Sequence, residues 1–217
     1  PLPGAGASSP IVHKDRIYLT AYTGYLVPGE DRGDRTNLKR HLLAISRESG
    51  KILWNQPVAA VLPEEENIRD HGFAASTPAA DDKRVYVFYG KTGVLAFDHS
   101  GKQLWQTSVG TKTHNWGSSA SPVLYKNLVI INASVESESL VALRQETGKE
   151  VWRATGIKEA WNTPIVITAG QRDELVIATQ PTIQAFDPAT GKPLWTCKTD
   201  ITWYMAPSMV AHKDVVY

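Results

Sequence analysis

Gly50-Lys51-Ile52-Leu53-Trp54 returns three times, as Gly101-Lys102-Gln103-Leu104-Trp105, Gly148-Lys149-Glu150-Val151-Trp152 and Gly191-Lys192-Pro193-Leu194-Trp195. The tryptophans stand 51, 47 and 43 residues apart, within or close to the ~40–50-residue period of propeller blades. A unit of this length cannot bury its apolar face alone, so the period sets the architecture before local propensity is weighed. The glycine suits a tight hairpin that needs positive φ, and the tryptophan brings a large rigid surface to the same place in every unit. It reads as a wedge between neighbouring blades.

A second recurring step, a small residue followed by proline, opens a β-rich run. It is written Ser8-Ser9-Pro10-Ile11-Val12, Ser76-Thr77-Pro78-Ala79-Ala80, Ala120-Ser121-Pro122-Val123-Leu124, Asn162-Thr163-Pro164-Ile165-Val166 and Met205-Ala206-Pro207-Ser208-Met209. Proline donates nothing to a ladder and is confined to strand starts and edges, so each is expected to mark where a strand begins. From there to the tryptophan each unit has room for four short strands. In the third unit they are 122–125, 128–133, 140–143 and 150–153, with a polar turn through 134–139. The third strands also agree, in Ala44-Ile45, Ala96-Phe97, Ala142-Leu143 and Ala185-Phe186. The small alanine lets strands approach and its large neighbour fills the space between sheets. The expectation is an all-β chain, a β-propeller of four-stranded antiparallel blades in a single domain over 1–217. Complete units fall at 7–58, 74–109, 118–156 and 161–199, and an incomplete one at 204–217.

Composition narrows the function classes. A net charge of +1 gives no electrostatic case for nucleic acid or an anionic membrane. No run of ~18 apolar residues is present to span a bilayer as a helix, and no signal segment opens the sequence. The single Cys197 excludes an intramolecular disulfide and any multi-cysteine metal site. Gly4-x-Gly6 lacks the strand before it and the helix after it that a nucleotide loop requires, and no Gly-x-Ser-x-Gly or His-Glu-x-x-His occurs. Asn132-Ala133-Ser134 matters as a glycosylation sequon only in a eukaryotic secretory setting. Glu64-Glu65-Glu66 with Asp70 offers hard oxygens for Ca²⁺ but lacks the spacing of a dedicated loop and reads as solvated surface. His71 and His114, in corresponding loops, are the one histidine pair to consider for a shared metal. No catalytic or metal residues are expected.

Strand alternation sorts the turns onto two faces. The first and third hairpins of each blade, including every Gly-Lys turn, share one face, here B. The second hairpins and the connections between blades share the opposite face, T. Both long insertions of the first unit, 25–40 and 59–72, fall on T, where loops on a rigid scaffold carry binding. The first of them, rich in mixed charge, reads as a solvated hairpin that folding can spare. T also gathers the residues before each inner strand, which should ring the channel mouth: His71 and Phe73, His114 and Trp116, Trp161 and Asn162, Trp203 and Tyr204. Aromatic and polar side chains at a concave mouth suit a sugar, a planar cofactor or a partner's side chains. Packing the tops of the inner strands is the other reading.

The pattern Ala-x-Asp-x-x-Thr-Gly-Lys-x-x-Trp, nearly complete over 185–195, resembles the tryptophan-docking repeat of PQQ-like β-propellers, and the resemblance covers the whole chain. The family includes BamB-type assembly scaffolds and quinoprotein dehydrogenases. The sequence departs from the pattern at Ser46 and Arg144, where Asp is expected, and unit two is one residue shorter before its glycine. The resemblance implies a ring of seven or eight blades, of which this chain would supply about half, or two copies that associate to complete one. It also implies a bacterial protein of the periplasm or extracellular space. The dehydrogenase branch would bring a vicinal disulfide under the quinone, a tryptophan platform, and Glu, Asn and Asp ligands for Ca²⁺. A single cysteine excludes the pair in this chain and the ligands cannot be placed residue by residue, so neither PQQ nor calcium is expected as a cofactor. The expectation is a non-catalytic scaffold that takes a protein partner, small ligand or glycan on one face. The alternatives are a quinone- and calcium-dependent oxidoreductase of alcohols or sugars, and a glycan-binding module using Trp116, Trp161 and Trp203.

Overall fold

A computed structural model describes residues 1–68, 71–213 and 215–217. Blade 1 is built from β1 (Ile11–His13), β2 (Arg16–Thr23), β3 (Lys39–Ser46) and β4 (Ile52–Ala59). Blade 2 comprises β5 (Ala79–Ala80), β6 (Arg84–Phe88), β7 (Val94–Asp98) and β8 (Gln103–Thr107). Blade 3 comprises β9 (Val123–Tyr125), β10 (Leu128–Ala133), β11 (Ser139–Arg144) and β12 (Glu150–Thr155). Blade 4 comprises β13 (Ile165–Ala169), β14 (Arg172–Ala178), β15 (Thr182–Phe186) and β16 (Pro193–Lys198). Each is an antiparallel sheet with its strands in sequence order. A two-stranded hairpin, β17 (Ala211–His212) with β18 (Val215–Val216), follows.

The repeat acts through one device used in all four sheets. The alanine of the third strand faces the tryptophan of the fourth, in the pairs Ala44–Trp54, Ala96–Trp105, Ala142–Trp152 and Ala185–Trp195. Directly after each pair the register slips, leaving Leu53, Leu104, Val151 and Leu194 as the extra residue of a bulge. Bulges bend a strand and re-aim its side chains. Here each indole reaches the next blade. Trp54 Nε1 donates to His99 O at 3.0 Å, Trp105 to Gln145 O at 2.9 Å and Trp152 to Pro188 O at 3.1 Å. The rings lie against the motif glycines of those blades: a Cβ added to Gly101, Gly148 or Gly191 would stand 2.9, 2.7 and 2.5 Å from Trp54, Trp105 and Trp152. Trp195 instead donates to Glu174 Oε2 of its own blade and is 37% exposed.

Apolar clusters fill the spaces between sheets. Tyr18, Leu42 and Ala44 of blade 1 meet Val85, Val87 and Phe97 of blade 2. Tyr86, Phe88 and Val94 meet Val129, Ile131 and Val141 of blade 3, and Ile130, Leu140 and Trp152 meet Leu175 and Ile177 of blade 4. On the inner strands a chain of hydrogen bonds steps from blade to blade. Ser9 N donates to Thr77 Oγ1, Thr77 N to Ser121 Oγ, Ser121 N to Thr163 Oγ1 and Thr163 N to Ser208 Oγ, all at 2.9–3.0 Å. The residue before Pro78, Pro122 and Pro164 is thus a hydroxyl that accepts the preceding blade's amide.

Three expectations need correction. The prolines at 10, 78, 122 and 164 each stand one residue before a strand, but after Pro207 backbone pairing begins only at Val210, which exchanges hydrogen bonds with Tyr217 beside β17. In that step the hydroxyl in the chain, Ser208, follows its proline where the others precede theirs. The polar stretch 134–139 is not a simple turn. It forms α1 (Ser134–Ser137), because Asn132 Oδ1 accepts from Ser134 N and the Ser134 hydroxyl is drawn to Ala160 O. The insertion 25–40 is anchored rather than dispensable: Tyr25, Val27 and Leu38 are buried with Tyr22, Phe73 and Ala74, while 28–34 forms a continuous exposed tip. Among the described residues, no helix is long and apolar enough to cross a membrane.

Candidate functional site

The connection from blade 2 to blade 3 carries His114 and Trp116, the connection into blade 4 carries Trp161, and the segment before the final hairpin carries Trp203 and Tyr204. The fold brings all five together on face T. His114 stands 5.0 Å from Trp161 and 6.2 Å from Tyr204, both edge-on. Trp116 lies 6.0 Å from Trp161 and 5.5 Å from Tyr204. Tyr204 is 5.1 Å from Trp161 and 5.3 Å from Trp203. Edge-to-face and tilted contacts at these separations are favourable, so the cluster stabilises itself. Trp161 is its floor: it is 6% exposed and its Nε1 donates to Gly117 O at 2.7 Å. Trp203 is its outward edge, 67% exposed.

The other predicted residues lie elsewhere or serve differently. Phe73 is buried beside Tyr22 and Tyr25, with ring centroids 5.6 and 5.9 Å away. His71 is not in the aromatic group; it faces Gly117, and its Nε2 has no hydrogen-bond partner among the described residues. Asn162 is fully buried. Its Nδ2 donates to Ala178 O at 2.7 Å, and its own carbonyl accepts from Asn132 Nδ2 at 2.9 Å. That makes it a bracket between β10, β14 and the segment leading into β13.

Beside the aromatics opens a cleft of ≈ 240 Å³ lined by Lys112, His114, Val135, Glu138, Lys158 and Trp161, among others. Lys112 Nζ and Lys158 Nζ lie 2.7 and 3.3 Å from the two oxygens of Glu138. Their hydrogen bonds hold the Glu138 carboxyl below the usual range. Trp116 N donates to His114 Nδ1 at 3.1 Å, which leaves the neutral ring's proton on Nε2 as a donor. In a second pocket that shares Thr113 and His114 with the cleft, Arg40 and Glu64 form a buried ion pair at 2.7 Å; Arg40 also donates to Phe73 O and Thr92 Oγ1. The lysines, Glu138 and this ion pair were invisible to repeat matching because each occurs in one unit only.

The acidic run 64–66 disperses. Glu64 pairs with Arg40, Glu65 accepts from Thr113 Oγ1 and Glu66 from Arg35, so the three carboxylates face different partners. Asp70 lies outside the described residues. Among the described residues no three or more His, Cys, Asp or Glu side chains converge as a metal site. A quinone sandwich is not matched by this donor set either, since Trp161 is enclosed by edge-on neighbours and Cys197 is single and exposed.

Four-stranded blades joined by an indole resting on the next blade's glycine define a β-propeller of the PQQ-like class. The family described as Outer membrane protein assembly factor BamB matches over residues 1–113 and 35–217, and the chain belongs to this PQQ-like repeat family. Comparison with curated sequences gives no match. Among solved structures, BamB from Moraxella catarrhalis is similar with a TM-score of 0.66 at 15% identity, over 97% of this chain and 53% of that one. Quinohemoprotein alcohol dehydrogenase from Comamonas testosteroni gives 0.62 at 16% identity, over 95% and 38%. A europium-containing methanol dehydrogenase gives 0.60 at 14%, over 90% and 42%. The chain therefore spans about half of the first structure and less of the others, and at these identities the likeness is one of fold.

Proposed function

We propose that the chain is part of a non-catalytic scaffold that captures a protein partner on face T, on the outer side of a bacterial cytoplasmic membrane. The carrying observation is the cluster of His114, Trp116, Trp161, Trp203 and Tyr204, which ends in an indole 67% exposed and adjoins a lysine-edged cleft. Aromatic anchors with adjacent charge are the composition of interface hot spots. The family description names outer-membrane-protein assembly, which supports a partner in that process. The dispersal of the acidic run supports a role without metal chemistry.

The test places a photo-crosslinking residue at the exposed Thr202, beside Trp203, and compares trapping by the otherwise unaltered chain with that by Trp203→Ala, Trp116→Ala and a face-B control, Lys149→Ala. The face-T changes should cut trapping of an envelope protein at least tenfold and leave the melting temperature within a few degrees, whereas the control should trap as the unaltered chain does. Equal trapping by all variants would sink the reading. Addition of pyrroloquinoline quinone with Ca²⁺ should produce neither a stoichiometric complex nor dye reduction, and turnover would replace the scaffold with an oxidoreductase.

A further inference from the structure

Thr111 N and Lys112 N both donate to the backbone oxygen of Glu136, at 3.1 and 3.2 Å. Ser118 Oγ donates to the carboxyl Oε1 of the same residue. One residue of α1 therefore holds both ends of segment 111–118, which carries Lys112, Thr113, His114 and Trp116. Close backbone approach makes this geometry available. A Cβ added to Gly110 would stand 2.2 Å from Glu136 O, and one added to Gly90 would stand 2.7 Å from Ser118 Oγ and 3.2 Å from Glu136 Oε1. Glu136 is 2% exposed, and its Oε2 has no hydrogen-bond partner among the described residues.

We propose that Glu136 is the positioning residue of the face-T docking segment, a clip that holds 111–118 closed while its carboxyl is protonated and loosens it on ionisation. This rests on the docking reading for its purpose but not for its geometry.

The chemistry follows from where the carboxyl sits. Burial pushes it up to about 7; the nearby Glu64 charge adds to this, while the Ser118 hydrogen bond and Arg40 act the other way. The groups around it are the paired Arg40 and Glu64, Tyr89 and Lys91 flanking Gly90, Lys112 and His114 on the clipped segment, and Glu138 on its own hairpin. With the segment open, the carboxyl is solvated and returns toward its ordinary value of 4.5. Below that value both forms hold the proton and the closed form keeps its full advantage. Between 4.5 and about 7 the open form alone releases the proton, so closure weakens steadily, and above about 7 the loss is complete. The closed-to-open ratio changes on the order of a hundredfold across that window.

Amide hydrogen exchange of the partner-free chain at pH 5 and pH 7.5, corrected for intrinsic rates, reads the clip directly. Protection at Thr111 and Lys112 should fall on the order of a hundredfold between the two, while Ile130 in β10 stays protected. Glu136→Gln, which keeps an acceptor for Ser118 and cannot ionise, should be protected equally at both. Ser118→Ala should lose protection at both, and His114→Gln should keep the pH dependence of the unaltered chain. A flat profile in the unaltered chain, a pH dependence surviving in Glu136→Gln, or one abolished by His114→Gln would each overturn the proposal. Because no partner is present, a failed clip and a failed docking surface are told apart: the first shows in exchange, the second in crosslinking with exchange unchanged.

Discussion

A methyl group added at Gly148 would stand 2.7 Å from Trp105 Cε3, whereas one added at Gly50 meets nothing within 4 Å. Both glycines sit in the same turn with φ near 70°. A left-handed alanine alone costs about 1–2 kcal/mol, and forcing a side chain into a packed contact adds about 1–3 kcal/mol. Gly50→Ala should therefore lower stability by the first amount only, and Gly148→Ala by the sum, with a red-shifted indole emission as Trp105 is displaced. Urea unfolding of the two variants side by side measures the difference. Equal losses would mean that the glycine is kept for its backbone conformation and not for the indole above it.

The inner strands are linked by hydroxyls at one turn of each repeat, and a near-isosteric change isolates that link. Thr163→Val keeps the β-branched shape that suits an extended segment but removes the acceptor for Ser121 N. Leaving an amide without a partner costs about 1–3 kcal/mol, so the midpoint of unfolding should fall, and exchange at Ser121 should accelerate while Ser9, which donates to Thr77, stays as it was. Unchanged exchange at Ser121 would show that water replaces the hydroxyl. The same comparison shows what the sequence made legible. Gly, Trp, Ala and Pro recur with the period because blades 1, 2 and 3 each meet the next blade in the same way, and the aromatics on the connections stand out because they precede the first strands of blades 2, 3 and 4 and the final hairpin. Glu136, Asn162 and the Arg40–Glu64 pair do not recur. Their partners lie in other blades or in loops without a period, so only the folded chain brings them together, and the buried ends of the 25–40 insertion were hidden by the charges at its tip.

At the scale of the whole molecule, the apolar clusters among the described residues join blades that neighbour one another in sequence, so cooperativity is carried by the interfaces between sheets, as in other repeat proteins. The joint between blades 2 and 3 divides the chain near its middle. It is built from Tyr86, Phe88 and Val94 against Val129, Ile131 and Val141, with Trp105 packed against them and its Nε1 tied to Gln145 O at 2.9 Å. Truncating a tryptophan at such a site costs about 3–5 kcal/mol, and here it removes the indole's packing on Gly148 and its hydrogen bond to Gln145 O from the interface with blade 3. Trp105→Ala should therefore split a single thermal transition into two, with the calorimetric enthalpy exceeding the van't Hoff value. Trp195→Ala is the matched control. Its indole is 37% exposed and hydrogen-bonded within its own blade, so its loss should lower the midpoint slightly and leave one transition. A single transition in both variants, merely shifted, would show that the aliphatic contacts alone couple the blades and that the tryptophan of each repeat adds stability without adding cooperativity.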